Sequence, residues 1–145
     1  MNLMQIDVTG SKIIGAITQL GEIGPKHHAI VLGKNPSNDQ IYVAENMHTG
    51  YQIATFDDFL ARYSANGNIT IEPNSGNFTD IEVAQRAIDE IIQGDKGVYN
   101  LIANNCESFT NRAMHNKSTS QQVVNTMLGI AILVGTIWII RKINK

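Results

Sequence analysis

Residues 123–140 contain no charged side chain over 18 positions, and Arg141 follows directly. As a helix, this segment would measure about 27 Å at about 1.5 Å per residue, which is near the lower limit for crossing a bilayer. Trp138 lies near its end, where aromatic and cationic residues favour the lipid headgroup layer. We therefore predict a globular domain, the catalytic part of the chain, over residues 1–120. A C-terminal membrane-associating helix with a basic tail would follow over residues 121–145. A buried C-terminal helix is the alternative.

The composition of the chain excludes several classes of function. A net charge of -2 lacks the basic field that nucleic-acid binding requires, so we expect no nucleic-acid partner. The single cysteine excludes an internal disulfide, and no Cys/His ligand array is present, so we expect no metal and no cofactor. The first residues lack the basic start and apolar stretch of a secretory signal. We therefore expect a cytoplasmic domain held at a membrane by a single C-terminal anchor.

Short runs rich in β-branched residues and closed by turn residues predict strands. The strongest runs are residues 12–20, 28–33 and 40–44, and residues 52–54 and 68–71 are weaker candidates. Residues 34–39, between the second and third runs, have the composition of a turn. The sequence thus predicts an antiparallel hairpin and, with the helices below, an α+β fold.

Two helix starts are marked by a threonine followed three positions later by an acidic residue. These are Thr55 with Asp58 and Thr79 with Glu82. In the second helix, apolar residues recur at helical spacing and Gly94 supplies a stop. We predict that this apolar stripe packs into the core; it consists of Ile81, Ala84, Ile88 and Ile91.

Cys106 follows two asparagines and precedes a stretch that predicts a helix over residues 106–114. This places its sulfur at a helix N-terminus, where unpaired N–H groups and the helix dipole favour the thiolate. The same N–H groups could stabilise charge on a carbonyl oxygen during nucleophilic attack. Cys106 is therefore a candidate nucleophile, and a small buried core residue is the alternative.

A cysteine nucleophile needs a general base, and four histidines are available. His27 and His28 open a predicted strand, so their side chains point to opposite faces and only one can share a pocket with Cys106. His48 and His115 occupy predicted loop or helix-end positions, where solvated histidines are usual.

Two stretches match the signature of a known family. His27–Gly33 reads His-His-Ala-Ile-Val-Leu-Gly, and residues 99–109 contain Asn-Cys-Glu-Ser-Phe around Cys106. In this order and separation they resemble the lecithin:retinol acyltransferase-like family, including the HRAS-like suppressor phospholipase/acyltransferases. The resemblance covers most of the chain.

The resemblance implies a circularly permuted papain-like (NlpC-like) fold, in which the histidine precedes the cysteine. It also implies that His27 is the general base and Cys106 the nucleophile, while His28 packs where the family often has an aromatic residue. The family commonly places a second histidine near the end of the next strand, where this chain has Glu45. A carboxylate can accept the imidazole N–H in the same role. Asn46 is the next alternative for this position and His48 a remote one.

The family's chemistry implies a lipid acyltransferase or phospholipase A-type hydrolase that forms an acyl-thioester on Cys106. The substrate would be a phospholipid or other lipid ester, and the membrane would be contacted through residues 123–140. A peptide or isopeptide hydrolase of the NlpC type is one alternative. A non-enzymatic, membrane-tethered interaction module is another.

Overall fold

The computed structural model describes residues 7–94, 99–100, 104–118, 120–129 and 131–132. Within these residues, five strands form one antiparallel sheet in the order β4-β3-β2-β1-β5; they are β1 (Lys12–Ala16), β2 (Lys26–Lys34), β3 (Ile41–Met47), β4 (Gly50–Thr55) and β5 (Thr70–Glu72). The helices are α1 (Phe56–Tyr63), α2 (Asp80–Gln93) and α3 (Cys106–His115), and residues 121–129 are also helical. The predicted α+β class, with an antiparallel sheet and packed helices, is confirmed.

The predicted hairpin is present as β2 and β3, which pair with Ile30 opposite Ala44. The prediction for the first strand was too long, because β1 ends at Ala16 instead of Leu20. Residues 17–25 form a loop in which the Thr18 hydroxyl accepts the Leu20 N–H at 3.4 Å. Gly21 then adopts a positive φ of 55°, which a continuous strand cannot accommodate.

Both predicted helix starts are confirmed as capping boxes. The hydroxyl of Thr55 accepts the Asp58 N–H, the hydroxyl of Thr79 accepts the Glu82 N–H, and each acidic side chain accepts the N–H of its threonine. Gly94 ends α2 in the left-handed conformation, as predicted.

The sheet is covered by α1 on one face and by α2 and α3 on the other. Phe59 and Tyr63 of α1 pack against Ala29, Val31 and Val43. On the opposite face, the buried residues are Ile30, Ala44, Val83, Ala87, Phe109, Ala113 and Met114. Successive residues of a strand point to opposite faces of the sheet, and those of β2 and β3 are buried on both faces. Both faces of the sheet must therefore be covered by helices.

The predicted stripe of α2 was partly wrong. Ala84 is buried and Ile91 packs against the core, but Ile81 is 76% exposed. Val83 and Ala87 are fully buried instead, so the buried face of α2 is rotated about the helix axis relative to the predicted stripe. Ile81 lies two positions before Val83, about 200° away around the helix axis, and therefore on the opposite side of α2 from this buried residue.

Within the described residues, no helix is both long enough and apolar enough to cross a membrane. The predicted membrane segment over residues 123–140 is described only at 123–129 and 131–132, where the chain is helical. The rest of it lies outside the described residues, and the C-terminal anchor stays a prediction.

Gly15 is required by the close approach of α1 to the sheet. A Cβ at this position would lie 2.6 Å from Cβ of Tyr63 and 3.0 Å from its ring carbon Cγ. Because the clashing atom adjoins the α1 backbone, the side chain cannot rotate away. We predict that Gly15→Ala lowers the free energy of unfolding by about 1–3 kcal/mol in urea titrations.

Gly129 provides the matched control, because no atom lies within 4 Å of a Cβ built there. Gly129→Ala should leave stability unchanged or raise it by up to about 1 kcal/mol through helix propensity. Equal stability of the Gly15 variant and wild type would contradict the proposed packing.

Candidate active site

The start of β2 supplies two buried histidines on opposite faces of the sheet. His27 is 4% and His28 is 6% exposed. His27 shares the face of α1, where its ring lies 5.2 Å from the Tyr63 ring and 5.8 Å from the Phe59 ring, measured between centroids. Strand alternation turns His28 towards the face that carries α2 and α3.

Glu45 on β3 accepts a hydrogen bond from His27. The distance from Nε2 of the imidazole to Oε2 of the carboxylate is 2.6 Å. The β2–β3 register pairs Glu45 with Ala29, so Glu45 is the diagonal neighbour of His27 on the same face. Because an ionised carboxylate can only accept, Nε2 carries a proton and Nδ1 remains for a second partner.

Glu45 is fully buried and its charge is matched by further donors. Arg62, in the last turn of α1, approaches both carboxylate oxygens, with Nη2 2.5 Å from Oε1 and Nη1 3.1 Å from Oε2. Gln52 on β4 donates to Oε1 at 3.2 Å. A buried carboxylate is tolerated only when it is paired and hydrogen-bonded in this way.

Cys106 is the first residue of α3, and the predicted asparagine cap before it is confirmed. The Asn105 side chain accepts the Ser108 N–H at 2.8 Å. The sulfur is 3.7 Å from the carbonyl oxygen of Lys26, the first residue of β2, and is 4% exposed as a residue. From this position the thiol is close enough to the His27 imidazole to raise its pKa.

The electrostatics of the cluster favour an ion pair between the Glu45 carboxylate and a protonated His27. Burial lowers the pKa of His27, but hydrogen bonds with Cys106 and Glu45 and the charges of those groups outweigh it, so the net pKa is raised above 6.5. Burial likewise raises the pKa of Glu45, but hydrogen bonds from His27 and Arg62 lower it to a net value below 4.5. Glu45 is therefore ionised at neutral pH and stabilises a protonated His27.

Glu107 connects the start of α3 to the following segment. Its carboxylate accepts the Ser120 hydroxyl at 2.6 Å and the Gln122 N–H at 3.1 Å. The Gln122 side chain in turn accepts the Lys26 N–H at 3.1 Å and donates to the Lys26 carbonyl at 3.4 Å. The beginning of the C-terminal helical segment is thereby fixed beside Cys106.

A cleft of about 410 Å³ opens next to the cysteine. One wall comes from the loop between β1 and β2 and the other from the C-terminal helical segment, with Cys106 between them. The lining is mostly apolar and consists of Ile17, Pro25, Lys26, Tyr99, Asn105, Cys106, Gln122, Val123, Thr126 and Met127. A mostly apolar wall beside a thiol and an imidazole fits an apolar group of a ligand.

The structure thus brings together His27, Glu45 and Cys106, and it separates them from the alternatives for the third position. Asn46 points to the other face, where its amide donates to the Asn104 side chain at 3.0 Å. His48 is exposed in the turn between β3 and β4. His115 ends α3 and lies 3.5 Å from the Ser75 hydroxyl. The catalytic roles of the three residues stay predictions.

Arg62, Gln52 and Gln122 belong to the site but were not predicted from the sequence. Arg62 and Gln52 contact Glu45 only because α1 packs on the face of β3 and β4 pairs with β3 in the sheet. No local motif marks such contacts between distant segments. Among the described residues, no group of three His, Cys, Asp or Glu side chains could hold a metal ion.

Comparison with known proteins gave no further assignment: no family model matches the chain, and neither a curated protein nor a solved structure does.

His28 makes stability sensitive to acid. Its Nδ1 is buried and has no hydrogen-bond partner among the residues that the structure describes. Burial lowers the pKa of His28 to about 4, although the charge of Glu107 opposes this. Between pH 6.5 and about 4 the unfolded chain binds a proton that the folded chain does not, so stability falls as the pH falls.

We predict that wild type loses about 3 kcal/mol across this interval relative to His28→Phe, which has no group to protonate. Urea unfolding of both proteins from pH 8 to 4 measures the difference, and groups unaffected by the substitution cancel. Parallel pH curves would contradict the depressed pKa of His28.

Proposed function

We propose that this protein is a thiol-dependent lipid acyltransferase or phospholipase A-type hydrolase of the lecithin:retinol acyltransferase-like family. Residues 1–120 would form the catalytic domain, and residues 121–145 would hold it at a membrane. The observation that carries the proposal is the Cys106–His27–Glu45 cluster at the wall of the apolar cleft. The order of elements also supports a permuted papain-like topology, since the strand with His27 precedes the helix that begins at Cys106.

In the first half of the reaction, His27 accepts the thiol proton of Cys106 through Nδ1, and the sulfur attacks the ester carbonyl of a lipid. Glu45 stabilises the imidazolium that forms. The first N–H groups of α3, which have no acceptor within the helix, are suited to the developing oxyanion. The ester C–O bond then breaks, His27 returns the proton to the leaving alcohol, and the acyl group stays on Cys106 as a thioester.

In the second half, His27 takes a proton from the acceptor, which attacks the thioester carbonyl. The C–S bond breaks, and His27 returns the proton to the Cys106 sulfur. Water as the acceptor yields a fatty acid, and an alcohol, amine or lysolipid yields an acyl-transfer product. The apolar lining of the cleft favours a fatty acyl chain over a peptide, because polar peptide groups would lose hydrogen bonds to water there.

The proposal is tested by intact-protein mass spectrometry after incubation with phosphatidylcholine vesicles. Wild type should gain one hydroxylamine-sensitive acyl group or release fatty acid, and Cys106→Ala should do neither. His27→Ala should slow fatty-acid release by roughly 10²–10⁴-fold, the usual contribution of a general base. His48→Ala is the matched control, because this histidine is exposed away from the cluster.

Absence of both the adduct and fatty acid from wild type would contradict lipid acyl chemistry. Release of fragments from a cell-wall peptide would then favour an NlpC-type peptide hydrolase. Inactivity on both substrates would favour the non-enzymatic module.

A further inference from the structure

Large apolar side chains are exposed on the loop that forms one wall of the cleft. Ile17 is 46%, Leu20 63% and Ile23 88% exposed. Both ends of this loop line the cleft, through Ile17 at one end and Pro25 at the other. The loop therefore projects its apolar residues from the mouth of the cleft into solvent.

The opposite wall has the same character. Val123 and Met127 of the C-terminal helical segment line the cleft, and Met127 remains 52% exposed. On the same segment, Val124 is 36% and Leu128 57% exposed. Loop 17–25 and helical residues 121–129 thus form one apolar rim around the entrance to Cys106, which we call the cleft rim.

The charges of the cleft rim do not favour a strongly charged partner. Glu22 is the one charged residue of loop 17–25, and it pairs with Lys26 of β2 at 2.9 Å. An exposed apolar surface of this kind is expected to contact another apolar phase.

The sequence that follows the rim favours lipid as that phase. The helical segment leads in sequence to residues 133–140, which have no charge, and Arg141 and Lys142 follow. This composition suits a lipid acyl region followed by a headgroup layer. A soluble protein partner would not call for an uncharged stretch of this kind followed by basic residues in the sequence.

We propose that the cleft rim inserts into the surface of a lipid bilayer, so that the entrance to Cys106 opens directly onto the membrane. Leu20 and Ile23 are the main inserted side chains of the loop. An acyl chain could then pass into the cleft without crossing water. The substrate part of this inference rests on the proposed function, but membrane insertion is independent of catalysis.

Insertion is measured with a single fluorophore on the full chain. Cys106 is the only cysteine, so Cys106→Ala combined with Ile23→Cys leaves one thiol for an environment-sensitive probe. Cys106→Ala with Ser37→Cys is the control, since Ser37 is exposed in the turn at the far end of β2. On phosphatidylcholine vesicles, the probe at position 23 should shift to the blue and resist quenching by iodide. Equal quenching at both positions would overturn the proposal.

An activity measurement separates this inference from the proposed function. Leu20→Ser/Ile23→Ser should lower turnover of vesicle phospholipid at least about tenfold, because two large apolar side chains no longer enter the bilayer. It should retain turnover of a monomeric short-chain phospholipid, since neither residue lines the cleft. Ile81→Ser/Ile92→Ser is the matched control, with 76% and 75% exposure on α2.

Unchanged vesicle turnover in the Leu20/Ile23 variant would overturn membrane docking by the rim. Inactivity of wild type on both substrates would instead contradict the proposed function, and the fluorophore experiment would still decide docking.

Discussion

The buried carboxylate of Glu45 is the constraint on which the site depends. A charge removed from water costs several kcal/mol unless it is fully paired, and Glu45 is 0% exposed. It receives hydrogen bonds from His27 on β2, Gln52 on β4 and Arg62 on α1. One side chain of β3 therefore connects both neighbouring strands and the covering helix. This arrangement fixes the tautomer and orientation of His27, which any proton transfer from Cys106 would require.

A second buried carboxylate, Glu107, has the corresponding role at the start of α3. It is held by Ser120 and Gln122, and Gln122 bonds both backbone groups of Lys26. The sheet, the N-terminus of α3 and the C-terminal helical segment thereby meet around one thiol. The apolar cleft follows from this junction, because Val123 and Met127 lie just beyond the anchored residues. The start of the predicted membrane-associating segment is thus also a wall of the candidate site.

Much of the fold could be predicted from local sequence signals. Capping threonines at 55 and 79, the asparagine before Cys106 and Gly94 each act within a few residues of their own position, and all four predictions are confirmed. The predictions for β1 and for Ile81 failed because neighbouring segments decide where a strand bends and which helix face is covered. His27, Glu45 and Cys106 could be selected from motif order, but Arg62, Gln52 and Gln122 could not. Their contacts arise only when segments distant in sequence fold together.

The central claim is that Glu45 stabilises the protonated form of His27, and the pKa of His27 measured by NMR titration tests it most directly. Wild type should titrate above the ordinary value of 6.5. In Glu45→Gln, which keeps the size and a hydrogen-bond acceptor but loses the charge, the pKa should fall, because burial then meets less opposition. Glu22→Gln, at an exposed position, should leave it unchanged. A His27 pKa below 6.5 in wild type, or one insensitive to Glu45→Gln, would contradict this account.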